Sequence, residues 1–174
     1  MLGGPKDKGE SEHHAFPDAA SKRWVKITKG TGDSFGKTLD LTGAKWSIGK
    51  ATATEYLERI ALQNKVFGDD IELHGVYRDR SGNVNIVTSQ SDKAGSPITA
   101  PQIQEAMEAA GFVSIGDAAF YREQDNVLVL DLHEENAVAS PSGEMRVFDA
   151  IVLRPDDAQL SRLRAEWQIK KLNS

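Results

Sequence analysis

The sequence predicts an α+β chain built mostly from antiparallel strands. Three stretches repeat apolar residues at helical spacing, two of them behind a recognisable cap. The strand-like runs between them are short and joined by turns, without the regular helical crossovers that a parallel sheet needs. With 39% hydrophobic and 27% charged residues in 174, the chain can bury a core of one domain or two small lobes.

The elements follow in order. Residues 1–12 are polar and Gly-rich, which predicts a disordered tail; they lack the apolar stretch of a signal peptide. His13, His14 and Phe16 lead to a turn at Pro17-Asp18. Ser21–Thr28 reads as a strand, with Trp24, Lys26 and Thr28 on one face and Val25 and Ile27 on the other. A Gly- and Asp-rich loop covers Lys29–Ser34, and residues 35–50 are weakly patterned. Thr52 and Glu55 form a capping-box pattern for a helix from Ala53 to Val66, carrying Tyr56, Leu57, Ile60, Ala61 and Asn64 and stopped by Gly68.

Ile71–Tyr77, the turn Asp79–Asn83 and Val84–Thr88 give a hairpin signal. Thr99 and Pro101 open a second helix with Ile103, Met107 and Ala110, ended by Gly111. Phe112–Ile115 and Ala119–Tyr121 read as short strands. Two apolar runs within 127–153 then flank a polar stretch and read as a hairpin. Asp156–Leu172 is a final amphipathic helix with Leu160, Leu163, Trp167 and Ile169–Leu172 on its apolar side. The coarse order is β-α-β-β-α-β-β-β-α.

Composition narrows the function classes. The net charge is -5 and no long Lys/Arg block occurs, so non-specific nucleic-acid binding is not favoured. The absence of cysteine removes disulfide and thiol chemistry and fits a cytoplasmic location. No apolar run approaches the ~18 residues of a membrane span.

Three groups of residues invite a chemical reading. Gly30-Thr-Gly32-Asp-Ser-Phe-Gly36-Lys37-Thr38 ends like a P-loop. A P-loop needs a glycine where Thr31 stands, and a helix immediately after; Leu39–Gly43 does not read as one. Asp131 and His133 could be a metallohydrolase ligand pair, but His13, His14 and His74 lie in no supporting pattern. His133 otherwise reads as a turn residue that donates a hydrogen bond to hold its loop. Lys26, in mid-strand, is either a phosphate clamp facing a cleft or a snorkelling lysine at an edge. Glu58 is its candidate partner on the capped helix, since capping already explains Glu55.

Asp131 closes an apolar run, Asn136 lies five residues on, and Asp149 thirteen after that. Oxygen-bearing side chains at the ends of paired strands suit a magnesium and phosphoryl site, although a hairpin with polar turn residues explains them too. This spacing resembles protein-kinase-like phosphotransferases. More closely, Arg23–Lys29, Thr54–Asp70, Val87–Gln90, Phe120–Arg122 and Asp131–Asn136 resemble, in order and spacing, the small kinase-like domains of phage and mobile-element polyvalent proteins.

The resemblance implies a reduced protein-kinase-like fold. An antiparallel N-terminal sheet with one helix (residues 13–90) would precede a truncated C-terminal lobe (91–174) with a catalytic-loop-like hairpin and a terminal helix. It implies an ATP and magnesium cleft. Lys26 would contact phosphate, Glu58 would partner it, and Ser89 and Gln90 would lie in the hinge beside the base. Asp131 would be the catalytic aspartate, with Asn136 and Asp149 as metal ligands. The acceptor hydroxyl is not named by the resemblance.

This sequence departs from the usual kinase pattern. Val129 replaces the His of the catalytic signature, Ala150-Ile151 follows the metal aspartate, and no glycine-rich loop precedes Lys26. Only residues 150–174 follow Asp149, too few for the usual peptide-binding helices. A catalytically inactive pseudokinase or a module that docks a protein partner is therefore the alternative, with the metallohydrolase as the third.

Overall fold

A computed structural model describes residues 12–29, 34–43 and 46–172, with the side chains of 167–172 outside the description. Among these residues it is an α+β structure of thirteen short strands and three α-helices, and every strand register within its sheets of three or four strands is antiparallel. The chain divides into two compact units: residues 1–38 with 48–93, and residues 39–47 with 94–174.

The first unit is a four-stranded sheet covered by a helix. β1 (His13–Asp18), β2 (Arg23–Thr28), β6 (Val84–Ser91) and β5 (Glu72–Arg78) lie in that order. The helix α1 (Ala53–Phe67) opens with the full capping box: Glu55 N donates to Thr52 Oγ1, and Thr52 N donates to Glu55 Oε2. Gly68 ends it at φ 60°, a left-handed position that glycine adopts without steric cost. Tyr56 and Ile60 of α1 pack with Phe35 and with Ile86 of β6. The β5–β6 turn closes as its sequence demands, with the Asp79 carboxylate accepting from Ser81 N and Asn83 N and Gly82 at φ 86°.

The second unit has its own core. β8 (Val113–Gly116), β9 (Ala119–Arg122), β10 (Val127–Leu130) and β13 (Ile151–Leu153) form a sheet in the order β13-β10-β9-β8. All four residues of β10 are fully buried. Leu128, Leu130, Ile115 and Ile151 pack with Leu39 and with Leu163 of α3 (Asp157–Leu172). The helix α2 (Ala100–Ala109) begins where Gln102 reaches back to Thr99 N, and buries Ile103 and Met107. β11 (Ala137–Ala139), β12 (Met145–Val147) and β7 (Ser96–Pro97) form a separate small sheet.

Several expectations change. Pro17-Asp18 does not end the first segment: both residues lie within β1, paired with Trp24 and Arg23. As the edge strand, β1 loses nothing by the missing N–H of Pro17. The weakly patterned residues 35–50 contain β3 (Lys37–Asp40) and β4 (Ser47–Lys50), which pair with each other. The runs of 127–153 do pair, Leu128 with Leu153 and Leu130 with Ile151, but a second hairpin, β11–β12, is inserted between them.

The tail expected over 1–12 lies outside the described residues except for Glu12, whose side chain is 8% exposed and ion-paired with Arg59 at 3.0 Å. Residues 30–33 of the P-loop-like stretch and the side chain of Trp167 also lie outside them. The Lys37-Thr38 end of that stretch lies in a strand rather than a helix. No helix among the described residues is long and apolar enough to cross a membrane.

Candidate active site

The geometry of the second unit starts from β10. Four buried apolar residues carry the chain to the end of the sheet, where Asp131 takes φ 59°. Left-handed backbone is costly for most side chains but tolerable for aspartate, and it turns the chain sharply out of the strand. Leu132, 1% exposed, plugs back into the core, and its N–H donates to Ala118 O at 3.1 Å. The loop is thus pinned from below while Asp131 and His133 remain partly exposed.

Asn136 ties the loop together. Its Nδ2 donates to Asp131 O at 2.6 Å, and its backbone N–H donates to His133 O at 2.9 Å. Because the carbonyl of Asp131 can only accept, the amide orientation is fixed. Asn136 Oδ1 therefore points away from that bond and enters no hydrogen bond among the described residues. From the other side, Phe148 N donates to Asn136 O at 3.1 Å. That bond sets the next residue, Asp149, beside the Asp131–Asn136 loop. Asp149 is partly buried. Glu134 accepts from Ala100 N at the start of α2 at 3.2 Å, which holds the outer side of the loop.

His133 is indeed a turn residue, but its Nδ1 accepts from Glu135 N at 3.3 Å rather than donating. Its Nε2 lies 3.5 Å from Asp131 Oδ1 and 3.2 Å from Asn136 Nδ2. Among the described residues no three His, Cys, Asp or Glu side chains are grouped to hold a metal. The Asp131–His133 pair therefore gains no third ligand of those types there.

In the first unit, Lys26 lies in the middle of β2, opposite Ala15 of β1 and Thr88 of β6. Directly opposed residues share a face, so Lys26 lies on the side that carries Thr88 and Ile86, the side packed by α1. Glu58 is exposed; α1 instead turns Tyr56, Arg59, Ile60 and Gln63 inward. Ser89 and Gln90 are buried within β6. Ser89 Oγ accepts from Arg23 Nε at 2.7 Å and lies 2.7 Å from His74 Nε2, while Gln90 Nε2 donates to Asp69.

Two polar clusters of this unit were not foreseen from sequence. His13 Nε2 lies 2.9 Å from Tyr56 Oη, next to the Glu12–Arg59 pair. Beyond the end of α1, Asp69 and Asp70 gather Gln63, Gln90, Lys93, Arg23 and Ser91. Burial pushes the Asp70 carboxyl up. The hydrogen bonds from Ser91, with the charges of Arg23 and Lys93, outweigh burial and lower its pKa to about 2. The doublet Asp69-Asp70 just past a helix stop was the one visible signal, and it names no partner.

Residues 41–154 match the sequence model of a family described as "Serine/Threonine/Tyrosine Kinase found in polyvalent proteins". No curated protein and no solved structure matches the chain.

Proposed function

Because the chain belongs to the polyvalent-protein kinase family, we propose that it is an ATP- and magnesium-dependent phosphotransferase acting on a hydroxyl acceptor. The observation that carries this reading is the loop at the end of β10. It holds a left-handed aspartate and an asparagine bonded to its carbonyl, and the Phe148–Asn136 backbone bond ties the residue before Asp149 to the same loop. Strained backbone of this kind persists where surrounding contacts over-determine it, often at functional sites.

In this reading Asp131 orients the acceptor hydroxyl and accepts its proton as the oxygen bonds to the γ-phosphorus and the bond to the leaving ADP oxygen breaks. Asn136 and Asp149 would hold magnesium. Their donors fit that ion: both offer hard oxygen, and magnesium characteristically uses one or two carboxylates completed by substrate phosphates and water. When bound, magnesium neutralises charge on the β- and γ-phosphates. By the family resemblance, Lys26 would contact the phosphates, and Ser89 and Gln90 would lie beside the base.

A nucleotide-binding module without turnover is the second reading. It is favoured by the exposure of Glu58, the candidate partner of Lys26.

Thermal unfolding with ATP, with and without magnesium, tests the proposal through linkage. ATP with magnesium is expected to raise the melting temperature, and Asp149→Ala to abolish the magnesium-dependent part. No shift at millimolar nucleotide would overturn the reading. Transfer of labelled phosphate to a hydroxyl acceptor, lost in Asp131→Asn, separates a transferase from a binding module.

A further inference from the structure

The stretch that leaves β6 is anchored at three successive residues, all to groups of the first unit. Ser91 N donates to Asp70 Oδ1 at 3.1 Å, and Ser91 Oγ donates to Asp70 Oδ2. Asp92 N donates to Lys22 O at 3.0 Å, and the Asp92 carboxylate accepts from Trp24 Nε1 at 3.0 Å. Lys93 Nζ lies 2.6 Å from Asp69 Oδ1 and 3.6 Å from Asp70 Oδ1. The two aspartates are themselves fixed from α1, β2 and β6. Gln63 Nε2 and Gln90 Nε2 donate to Asp69, whose side chain is 1% exposed, and Arg23 Nη1 donates to Asp70 Oδ2 at 2.8 Å.

A segment that only linked strands would not need such holding. Connections are normally mobile, and burying a carboxylate is costly unless every lone pair is used. Here the cost is met at Asp69 by two amide donors, from α1 and β6, and by the ammonium group of Lys93, two residues past the end of β6. Trp24 is two positions before Lys26 on the same face of β2, so the strand proposed to bind phosphate also holds this segment, through its indole.

We propose that Asp69 and Asp70 are positioning residues for nucleotide binding, holding Ser91–Lys93 in the conformation that receives the base. The proposal rests on the phosphotransferase reading above. It adds that the base end of the nucleotide depends on an acidic clamp that touches no nucleotide atom. Preorganisation of this kind lowers the entropy lost on binding and appears as affinity.

Titration calorimetry on the full chain with magnesium and either ATP or inorganic tripolyphosphate tests this, alongside amide hydrogen exchange at Ser91–Lys93. Asp70→Asn and the milder Ser91→Ala are expected to speed that exchange and to weaken ATP roughly five- to tenfold. Tripolyphosphate, which has no base, should bind unchanged. Faster exchange with unaltered ATP affinity would overturn the proposal, as would equal weakening of both ligands. If the wild type binds neither ligand, the phosphotransferase reading falls and takes this one with it. If Lys26→Ala weakens both ligands while the clamp variants weaken neither, only the clamp proposal falls.

Discussion

Two sets of aspartates in this chain are used in opposite ways. Asp69 and Asp70 lie between α1 and β5, where amide, hydroxyl, guanidinium and ammonium donors surround them. Asp69 is 1% exposed. Asp131 stands at a strand end with 28% of its side chain exposed, on left-handed backbone held by its neighbours. The first set consumes its acceptor capacity in holding the fold. In the second, the holding is done through backbone groups, by Asn136 to Asp131 O and by Phe148 to Asn136 O. Local composition does not separate the two cases, since both are short acidic stretches beside apolar runs. What separates Asp69 from Asp131 is burial, with 1% against 28% of the side chain exposed.

This contrast can be broken by experiment. The largest expected effect on stability is at Asp69. Asp69→Ala leaves Lys93, Gln63 and Gln90 without their shared acceptor and should cost about 3 kcal/mol in denaturant unfolding. Asp131→Asn, by contrast, should change stability by less than about 1 kcal/mol, because the bonds holding its backbone remain. Equal losses at the two positions would refute the distinction.

A cap offers an intermediate reference. Thr52→Ala removes one half of the capping box of α1 and should cost about 1 kcal/mol, without altering affinity for ATP.

The smallest effect concerns acid. Against burial, which pushes it up, the hydrogen bonds from Ser91 and the nearby Arg23 and Lys93 charges hold the folded pKa of Asp70 at about 2, below the usual 3.8 of an aspartate. Its contribution is therefore complete above the unfolded value and is lost as pH falls from about 4 towards 2. The side chain is 41% exposed, so solvent screening limits that contribution to less than about 1 kcal/mol. Comparing acid unfolding of the wild type and Asp70→Asn should show the two curves converging below pH ~2.

Much of the secondary structure was legible because its signals are local. The Thr52–Glu55 box and Gly68 bracket α1, Thr99 and Pro101 open α2, and the Asp79–Asn83 turn joins β5 to β6. The spacing of Asp131, Asn136 and Asp149 could be read before any geometry, since a loop and its flanking strands set it. Arg59 could not be read in the same way. It lies next to Glu58 on α1, and apolar periodicity does not say which of two adjacent charges turns inward. Glu12, 47 residues away, is what accepts it. β3 and β4 were missed because their faces are only partly apolar, and pairing rather than burial pattern defines them.

The sequence by itself determined the fold class, the positions of the three helices, the main hairpin and the kinase-like order of its motifs. Those depend on interactions within a few residues or on spacing along the chain. The tertiary structure alone decided that β10 pairs with β13 across an inserted hairpin, and that Arg59 and Asp69 are buried rather than solvated. It also decided that Asp131 turns left-handed where Asn136 can hold it. The physical reason is the same in each case. Burying a polar group is tolerable only with a partner in place, and here the partners come from distant parts of the chain or from backbone groups with no sequence signature.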